Sequence, residues 1–468
     1  MSPGKFSGMD LTEGNITAKL LLFALPLMAG NLLQQLYNIA DTLIVGRFLG
    51  EEALAAVGSS YTLMVFGTSI LTGLCMGSSA FFSIQYGNGG TERMKQGFFL
   101  AFVLIGGLAL VLNAAVYAGA GGIIRFLRVP WEVEGLMREY LLWIFAGIPA
   151  TFLYNFFANL LRSVGNSAVP LYFLAVSAIL NVGLDLLFIL AFQWGVGGAA
   201  SATVLSQYVS GIGILLYYRF RCPELMAERR HFRWDGEIVR ELAGLSVLTC
   251  MQQSIMNFGI LLVQGLVNSF GTVVMAAFAA AVKIDSFAYS PVQDFGNAFS
   301  TYTAQNYGAG KTERIRTGMK RAVLTVFLFC LAVSSLVCIF AGPLMRLFID
   351  ASSTETIAVG TGYLRIEASF YFGIGVLFLF YGYFRAVRRP GVSVILTVIA
   401  LGTRVLFAYT FSAVPAISVT GIWLAVPAGW LLADLAGGFF LLSGRKEGSP
   451  RADAVRAVGD RKRADKRR

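Results

Sequence analysis

Residues 34–46 read QQLYNIADTLIVG, an apolar run that nevertheless holds an aspartate, Asp41. Gln34, Tyr37, Asn38 and Asp41 fall at i, i+3, i+4 and i+7, which is one stripe about 100° wide on a 3.6-residue helix. The surrounding run is long enough to cross a bilayer. A charge at the centre of a spanning helix costs about 2.5–3.5 kcal/mol even on the lenient insertion scale. The stripe therefore faces the protein interior or a water-filled cavity, never lipid. Asp41 lies six residues before Arg47, about 9 Å inside the end of its span.

The rest of the chain repeats that setting. Its 468 residues are 56% hydrophobic and 13% charged, with a mean hydropathy of +0.68. A soluble chain carries about 25% charge. Apolar runs recur from end to end, and twelve helices are predicted, centred near residues 30, 68, 108, 147, 179, 207, 255, 285, 332, 371, 402 and 431. No cleavable signal peptide is expected, because the first apolar run is long enough to span. Cys75, Cys222, Cys250, Cys330 and Cys338 have no paired or metal-type spacing and read as small apolar residues. The single histidine, His231, sits in a basic loop, which argues against histidine metal sites.

Basic residues set the orientation. With both termini inside, the inner segments hold 29 Lys and Arg and the outer segments 6, with Lys283 and Arg404 inside spans. The expected location is a cell inner membrane, multi-pass, with both termini cytoplasmic. Residues 444–468 form a basic tail, read as disordered, solvated and reinforcing the topology. It has no aromatic residue to stack on bases, so no nucleic acid is expected as partner.

An internal repeat organises the chain. QYGNGGTERMKQG (85–97) answers QNYGAGKTERIRTG (305–318), with Tyr86, Gly87 and Gly89 matching Tyr307, Gly308 and Gly310 at one constant offset. LLRSVG around Arg162 answers YFRAVR around Arg385, and GVGGAA around Gly197 answers SVTGIW around Gly421. The chain is thus two six-helix halves: an N-lobe over 1–220, a basic linker over 221–240 and a C-lobe over 241–443. Six is even, so both halves start on the same side, and a pseudo-two-fold axis runs along the membrane normal. The fold class is all-α, polytopic, with twelve transmembrane helices in two lobes. Repeats of this kind build secondary transporters. The YGNGG and YGAGK stretches lack the full phosphate-loop pattern and read as tight turns.

The fifth helix repeats the device of the first. Asn181 and Asp185 are one turn apart, and Asp185 lies nine residues before Trp194, about 13 Å inside the same edge. The sixth helix offers Thr203 and Gln207, again one turn apart. Two carboxylates in one low-dielectric pocket cannot easily both stay ionised, so protonation and cation binding become exclusive states of a single pocket. Pro26 frees a backbone carbonyl in the first helix and permits a bend. In the second half, Gln252, Gln253, Asn257 and Gln264 lie on the seventh helix and Lys283, Asp285 and Asp294 in or near the eighth. Glu367, Arg404 and Asp434 lie on the tenth, eleventh and twelfth helices, with a pairing of Arg404 and Glu367 conceivable. The second-half residues read equally well as structural pairs or as cavity lining.

LPLMAGNLLQQLYNIADTLIVGRFLGEEALAAVG, NVGLDLLFI, GVGGAASATVLSQ and AQNYGAGKTERI together resemble the multidrug and toxic compound extrusion (MATE) family, over essentially the whole chain to about Leu442. The resemblance implies two six-helix lobes around a V-shaped cavity and export of organic cations and other xenobiotics in exchange for H⁺ or Na⁺. It is nearer to the DinF-like branch, in which acids on helices one and five, an asparagine, a threonine and a helix-one proline form the N-lobe site. Asp41, Asp185, Asn181, Thr203 and Pro26 match those positions. The NorM-like C-lobe site needs an acid on helix seven, where this chain has Gln252, Gln253 and Asn257.

The expected function is a secondary antiporter. Asp41, Asp185, Asn181, Asn38 and Thr203 form the proton or cation site, with Asp41 and Asp185 as Na⁺ ligands if Na⁺ is the coupling ion. Gln34, Tyr37, Gln207, Gln253 and Asn257 line the substrate cavity, and Pro26 sits at the moving part. Beyond the coupling ion no cofactor is expected. The partners are small organic cations and membrane lipid, and the expected state is a monomer. The alternative is a flippase of lipids or lipid-linked oligosaccharides, which the scarcity of embedded basic residues disfavours. No nucleophile–base pair or metal cluster suggests an enzyme.

Overall fold

The computed structural model describes residues 8–126 and 131–447. The basic tail lies almost wholly outside them. Fourteen α-helices run in order: α1 (Ile16–Phe48), α2 (Glu51–Gly87), α3 (Thr91–Phe126), α4 (Trp131–Ala146), α5 (Ile148–Ser163), α6 (Ala168–Leu186), α7 (Gly195–Arg221), α8 (Gly236–Asn268), α9 (Thr272–Gly308), α10 (Thr312–Met345), α11 (Thr354–Ala368), α12 (Tyr371–Ala386), α13 (Pro390–Ser412) and α14 (Val419–Glu447). No strand occurs among the described residues. Among the described residues ten helices are long and apolar enough to span, and the count reaches 12 when two bent pairs are each taken as one span. The all-α, twelve-span architecture is therefore present.

The bent pairs are the fourth and tenth spans. α4 and α5 meet at 41° across Gly147, and α11 and α12 meet at 51° across Ser369 and Phe370. Pro149 in the first turn of α5 fits a restart there, since its missing N–H is unneeded at a helix start. The two breaks occupy equivalent places in the two halves, so the repeat extends to helix irregularities.

Two compact units emerge. The first holds residues 8–10, Leu21–Tyr86 and Gly90–Ser254, and the second holds Leu11–Leu20, Gly87–Gly89 and the chain from Ile255 onward. Phe82, Phe98, Phe102, Phe152, Phe156 and Phe157 form the aromatic heart of the first unit. Phe378, Phe384, Leu396, Val426 and Trp430 belong to the hydrophobic core of the second. Helices in lipid associate through close backbone approach more than through apolar burial. Accordingly, a Cβ on Gly77 would stand 2.4 Å from Ser246 Cα, and one on Gly429 would stand 2.3 Å from the Ala400 carbonyl oxygen.

The repeated YGxGxTER motif forms a tight turn in each half. Gly89 and Gly310 adopt φ of +68° and +69°, the left-handed region that favours glycine. The five cysteines are free thiols.

Candidate functional site

The first unit brings the two helical acids together. α1 presents Asp41 and α6 presents Asp185, and their carboxyl groups come within hydrogen-bonding range of each other. Asp185 and Asn181 are buried, at 0% and 2% exposure. Both Asp185 oxygens and Oδ1 of Asp41 are enclosed, and no protein N–H or O–H donates to them among the described residues. An enclosed acceptor left without a donor costs about 1–3 kcal/mol. Two negative charges this close in a poorly polarisable setting repel strongly. One proton or one small cation between the carboxylates relieves both penalties. Asn181 Nδ2 donates to Thr203 Oγ1 at 3.2 Å, which ties α7 to the same cluster.

The backbone beyond Asp185 is irregular. Leu187–Ala191 forms a π-helical turn, and Gln193 follows at φ +55°. Such π turns occur mostly inside longer helices and often at functional sites. Here the turn begins two residues after the buried acid.

The other residues singled out above are more dispersed. The Asn38 side chain makes no hydrogen bond to the acids, and its backbone carbonyl accepts from Thr42 Oγ1 at 2.8 Å. Tyr37 lies within electrostatic reach of Tyr140. Gln34 is exposed. Gln207 accepts from Thr151 Oγ1 at 3.3 Å and packs at the α4/α5 break, where a Cβ on Gly147 would stand 2.5 Å from its Oε1. Gln253 approaches Met76 Sδ at 4.0 Å in the first unit, whereas Asn257 belongs to the second. Pro26 is half-buried inside α1, which runs without interruption through it.

Tyr140 of α4 is an addition to the set that the sequence pattern singles out. It is 4% exposed and lies within electrostatic reach of Asp41, Asp185 and Tyr37. The repeat holds a signal for it, since Tyr363 occupies the matching position of the second half and also faces buried acids.

Those acids form a second cluster, in the second unit. Asp285 of α9 and Glu367 of α11 lie within electrostatic reach of each other and of Arg404 of α13, with the Tyr363 and Tyr371 hydroxyls beside Asp285. Glu367 is 0% exposed. Both its oxygens, Asp285 Oδ1 and Arg404 Nε are enclosed without a hydrogen bond of good geometry. Arg404 and Glu367 are neighbours, as conceived from the sequence, yet no direct ion pair within 4.0 Å joins them among the described residues. Lys283 is exposed while Asp285 is buried, so the two do not share a face. Among the described residues no group of three or more His, Cys, Asp or Glu could hold a metal ion.

Comparison with known proteins decides the family. The sequence profile described as MatE matches residues 26–187 and again 249–410, once in each half. The chain belongs to the MatE family. The probable multidrug resistance protein YpnP of Bacillus subtilis is 31% identical over 438 residues, covering 93% of this chain and 97% of that relative. A protein described as the FAD transporter of Shewanella oneidensis is 24% identical, covering 91% and 94%. An outward-facing multidrug resistance MATE transporter of the MOP superfamily superposes with a TM-score of 0.88 at 25% identity, covering 95% of this chain and 98% of that one. This MatE-family chain is accordingly a multi-pass membrane protein from a family of transporters, with the two-lobe fold of its structural neighbours. The two matches begin and end 223 residues apart, the spacing that also separates Tyr140 from Tyr363.

Proposed function

We propose that this chain is a secondary antiporter that exports organic cations and related xenobiotics in exchange for H⁺ or Na⁺, with the coupling ion held by Asp41 and Asp185. One observation carries the reading: two buried carboxyl groups from different helices meet with three enclosed oxygens that no protein donor satisfies. A pair built for packing alone would be expected to have donors around it. A pair that must take up and release a proton or cation needs them absent. Asn181 and Thr203 fix the geometry of α6 against α7, and Tyr140 stands beside both acids.

The cycle follows from exclusivity. A pocket holding the coupling ion favours one conformation, and the emptied pocket favours another, so the ion gradient biases the equilibrium. Cytoplasmic cargo leaves as the ion enters from outside. The multidrug names of the relatives support xenobiotic cargo, while the FAD transporter among them supports a broader cargo range in the family. The basic-residue count supports both termini in the cytoplasm of a cell inner membrane.

The test is efflux of ethidium from proteoliposomes under a pH gradient alone, then under a Na⁺ gradient alone, with Asp41→Asn as control. Export driven by one gradient and lost in the variant supports the reading and identifies the ion. Full export by the variant at normal expression sinks it. No export under either gradient, with labelled lipid moving across the bilayer instead, would favour the flippase.

A further inference from the structure

The basic linker between the halves is held in a fixed shape. It contains two 3₁₀ turns, Pro223–Leu225 and Arg229–His231. His231 is buried; its Nδ1 accepts from the Glu228 N–H at 2.9 Å, and its Nε2 meets Glu92 of α3 at 3.0 Å. Arg230 pairs with Glu92 at 3.2 Å and with Glu228 at 3.0 Å. Gln96 Nε2 donates to the Arg233 carbonyl at 3.3 Å, and Phe99 stacks on Phe232 with ring centroids 4.5 Å apart. Asp235 accepts from the N–H groups of Glu237 and Ile238 and so caps α8. All of these residues belong to the first unit.

What this fixed linker presents outward is aromatic and basic. Trp234 is 69% exposed, Phe232 51%, and Phe220 at the end of α7 73%. Arg219, Arg221, Arg229 and Arg233 are exposed and take part in no ion pair among the described residues. Only Glu224 and Glu237 are exposed, unpaired acids of the same stretch, so the free charge is positive. The pairing is selective: Arg230 and His231 are engaged by Glu92 and Glu228, whereas Arg229 and Arg233 to either side are left free.

The depth of the linker follows from the helices it meets. Leu205, Val209, Ile212, Leu216 and Phe220 fall on one face of α7, all apolar and all exposed, a face that suits hydrocarbon. That face ends at Phe220, with Arg219 and Arg221 on either side. On α3, Phe99 shares a face with the exposed Val103 and Leu110, so Phe232 rests at the foot of a second such face. The linker thus lies where two apolar faces run out, the level at which tryptophan rings and arginine side chains meet lipid headgroups. A loop that only set the topology would need its charge, but not bare rings on an ordered backbone.

We propose that this linker is a binding surface for anionic phospholipid headgroups, with Trp234 and Phe232 seated in the interface and Arg229 and Arg233 on the phosphates. Charge complementarity selects the occupant. A leaflet that carries anionic lipid attracts basic segments beside the membrane, and the guanidinium fork matches a phosphate through paired hydrogen bonds. A zwitterionic headgroup offers the same phosphate but no net charge. Binding of this kind requires neither transport nor a coupling ion.

The test is quenching of Trp234 fluorescence by brominated lipid. The full chain is reconstituted in equimolar phosphatidylcholine and phosphatidylglycerol, with bromine high on the acyl chain of one lipid or of the other. Comparison with Trp234→Phe isolates one tryptophan of six. Both leaflets have the same composition, so the direction of insertion has no influence. Brominated phosphatidylglycerol is expected to quench at least about twofold more than brominated phosphatidylcholine. The preference should fall to parity in Arg229→Gln with Arg233→Gln, persist in Arg229→Lys with Arg233→Lys, and shrink in high salt, where the screening length is shorter. Equal quenching by the two lipids in the parent protein overturns the headgroup selection. A preference that survives the glutamine pair, or is lost as fully in the lysine pair, overturns the charge-based role of the two arginines. No quenching by either lipid would place Trp234 in water, which overturns the lipid surface and would make it a contact for a soluble partner instead.

Discussion

Arg404 of α13 lies 223 residues after Asn181 of α6, the spacing that also separates the bounds of the two MatE matches. Arg404 lies within electrostatic reach of Asp285 and Glu367, and Asn181 stands one turn before Asp185 on α6. The first unit thus sets a neutral amide beside its carboxylate pair, and the second sets a fixed guanidinium beside its own. Asp41 and Asp185 have no resident counter-charge among the described residues, whereas Asp285 and Glu367 share one.

That difference predicts a change in ion response. Arg404→Asn gives the C-lobe cluster the chemistry of the N-lobe one, so it should then gain affinity for Na⁺. Ligand that binds only the folded state stabilises it by about 2.7 kcal/mol at a hundredfold excess over Kd. Thermal unfolding in detergent should therefore show Na⁺-dependent stabilisation in Arg404→Asn beyond that of the parent. Adding Glu367→Gln should remove the increment, and Arg404→Lys should never show it. An identical Na⁺ response in parent and Arg404→Asn would refute the role given to the guanidinium.

Asp41 and Asp185 should behave as one group. Groups in direct contact are non-additive, and a pair sharing one proton or cation fails when either member is lost. Asp41→Asn and Asp185→Asn should each reduce gradient-driven export to background, and the double variant should be no worse than either single one. Losses that multiply in the double variant would mean two independent sites.

Much of this arrangement is legible in the residues alone. Twelve spans follow from apolar run length, and the repeat follows from spaced identities around Tyr86 and Tyr307. Asp41 and Asp185 stand out because charge in an apolar run is costly wherever it falls. Less visible are partners whose side chains are unremarkable in a span, such as Tyr140, whose hydroxyl gains meaning only from the acids beside it. The C-lobe cluster is hidden for a different reason. Asp285, Glu367 and Arg404 lie on three helices with no shared spacing, so only tertiary packing gathers them. Gln207 illustrates the converse: periodicity puts it one turn from Thr203, yet the break at Gly147 opens a space that its amide fills.

The bond from Asn181 Nδ2 to Thr203 Oγ1 predicts a stability effect separable from coupling. Thr203→Val keeps the volume and removes the acceptor, leaving a buried amide donor unmet at a cost of about 1–3 kcal/mol. Thr203→Ser retains the hydroxyl and should stay near the parent. The check is the unfolding midpoint of the purified protein for both variants. Equal midpoints for Val and Ser would show that the bond contributes nothing measurable.

Gly97 and Gly318 make a matched pair that tests how the motif is braced. A Cβ on Gly97 would stand 2.2 Å from Phe81 Cε1, and one on Gly318 would stand 2.4 Å from Tyr302 Cε1. Crowding of this kind costs about 1–3 kcal/mol in a well-packed core. The two rings differ in freedom. Phe81 is held by packing alone, but the Tyr302 hydroxyl donates to the Arg314 carbonyl at 2.7 Å, and the Arg314 guanidinium lies 5.8 Å from the Tyr302 ring centroid. Displacing Tyr302 therefore breaks a hydrogen bond and disturbs Arg314, whereas displacing Phe81 breaks no hydrogen bond. Gly318→Ala should lower the unfolding midpoint more than Gly97→Ala. In a Tyr302→Phe background the extra penalty of Gly318→Ala should shrink, because the anchor it strains is already gone. Equal penalties in both backgrounds would mean that the ring's bulk, not its hydroxyl tie to Arg314, sets the cost.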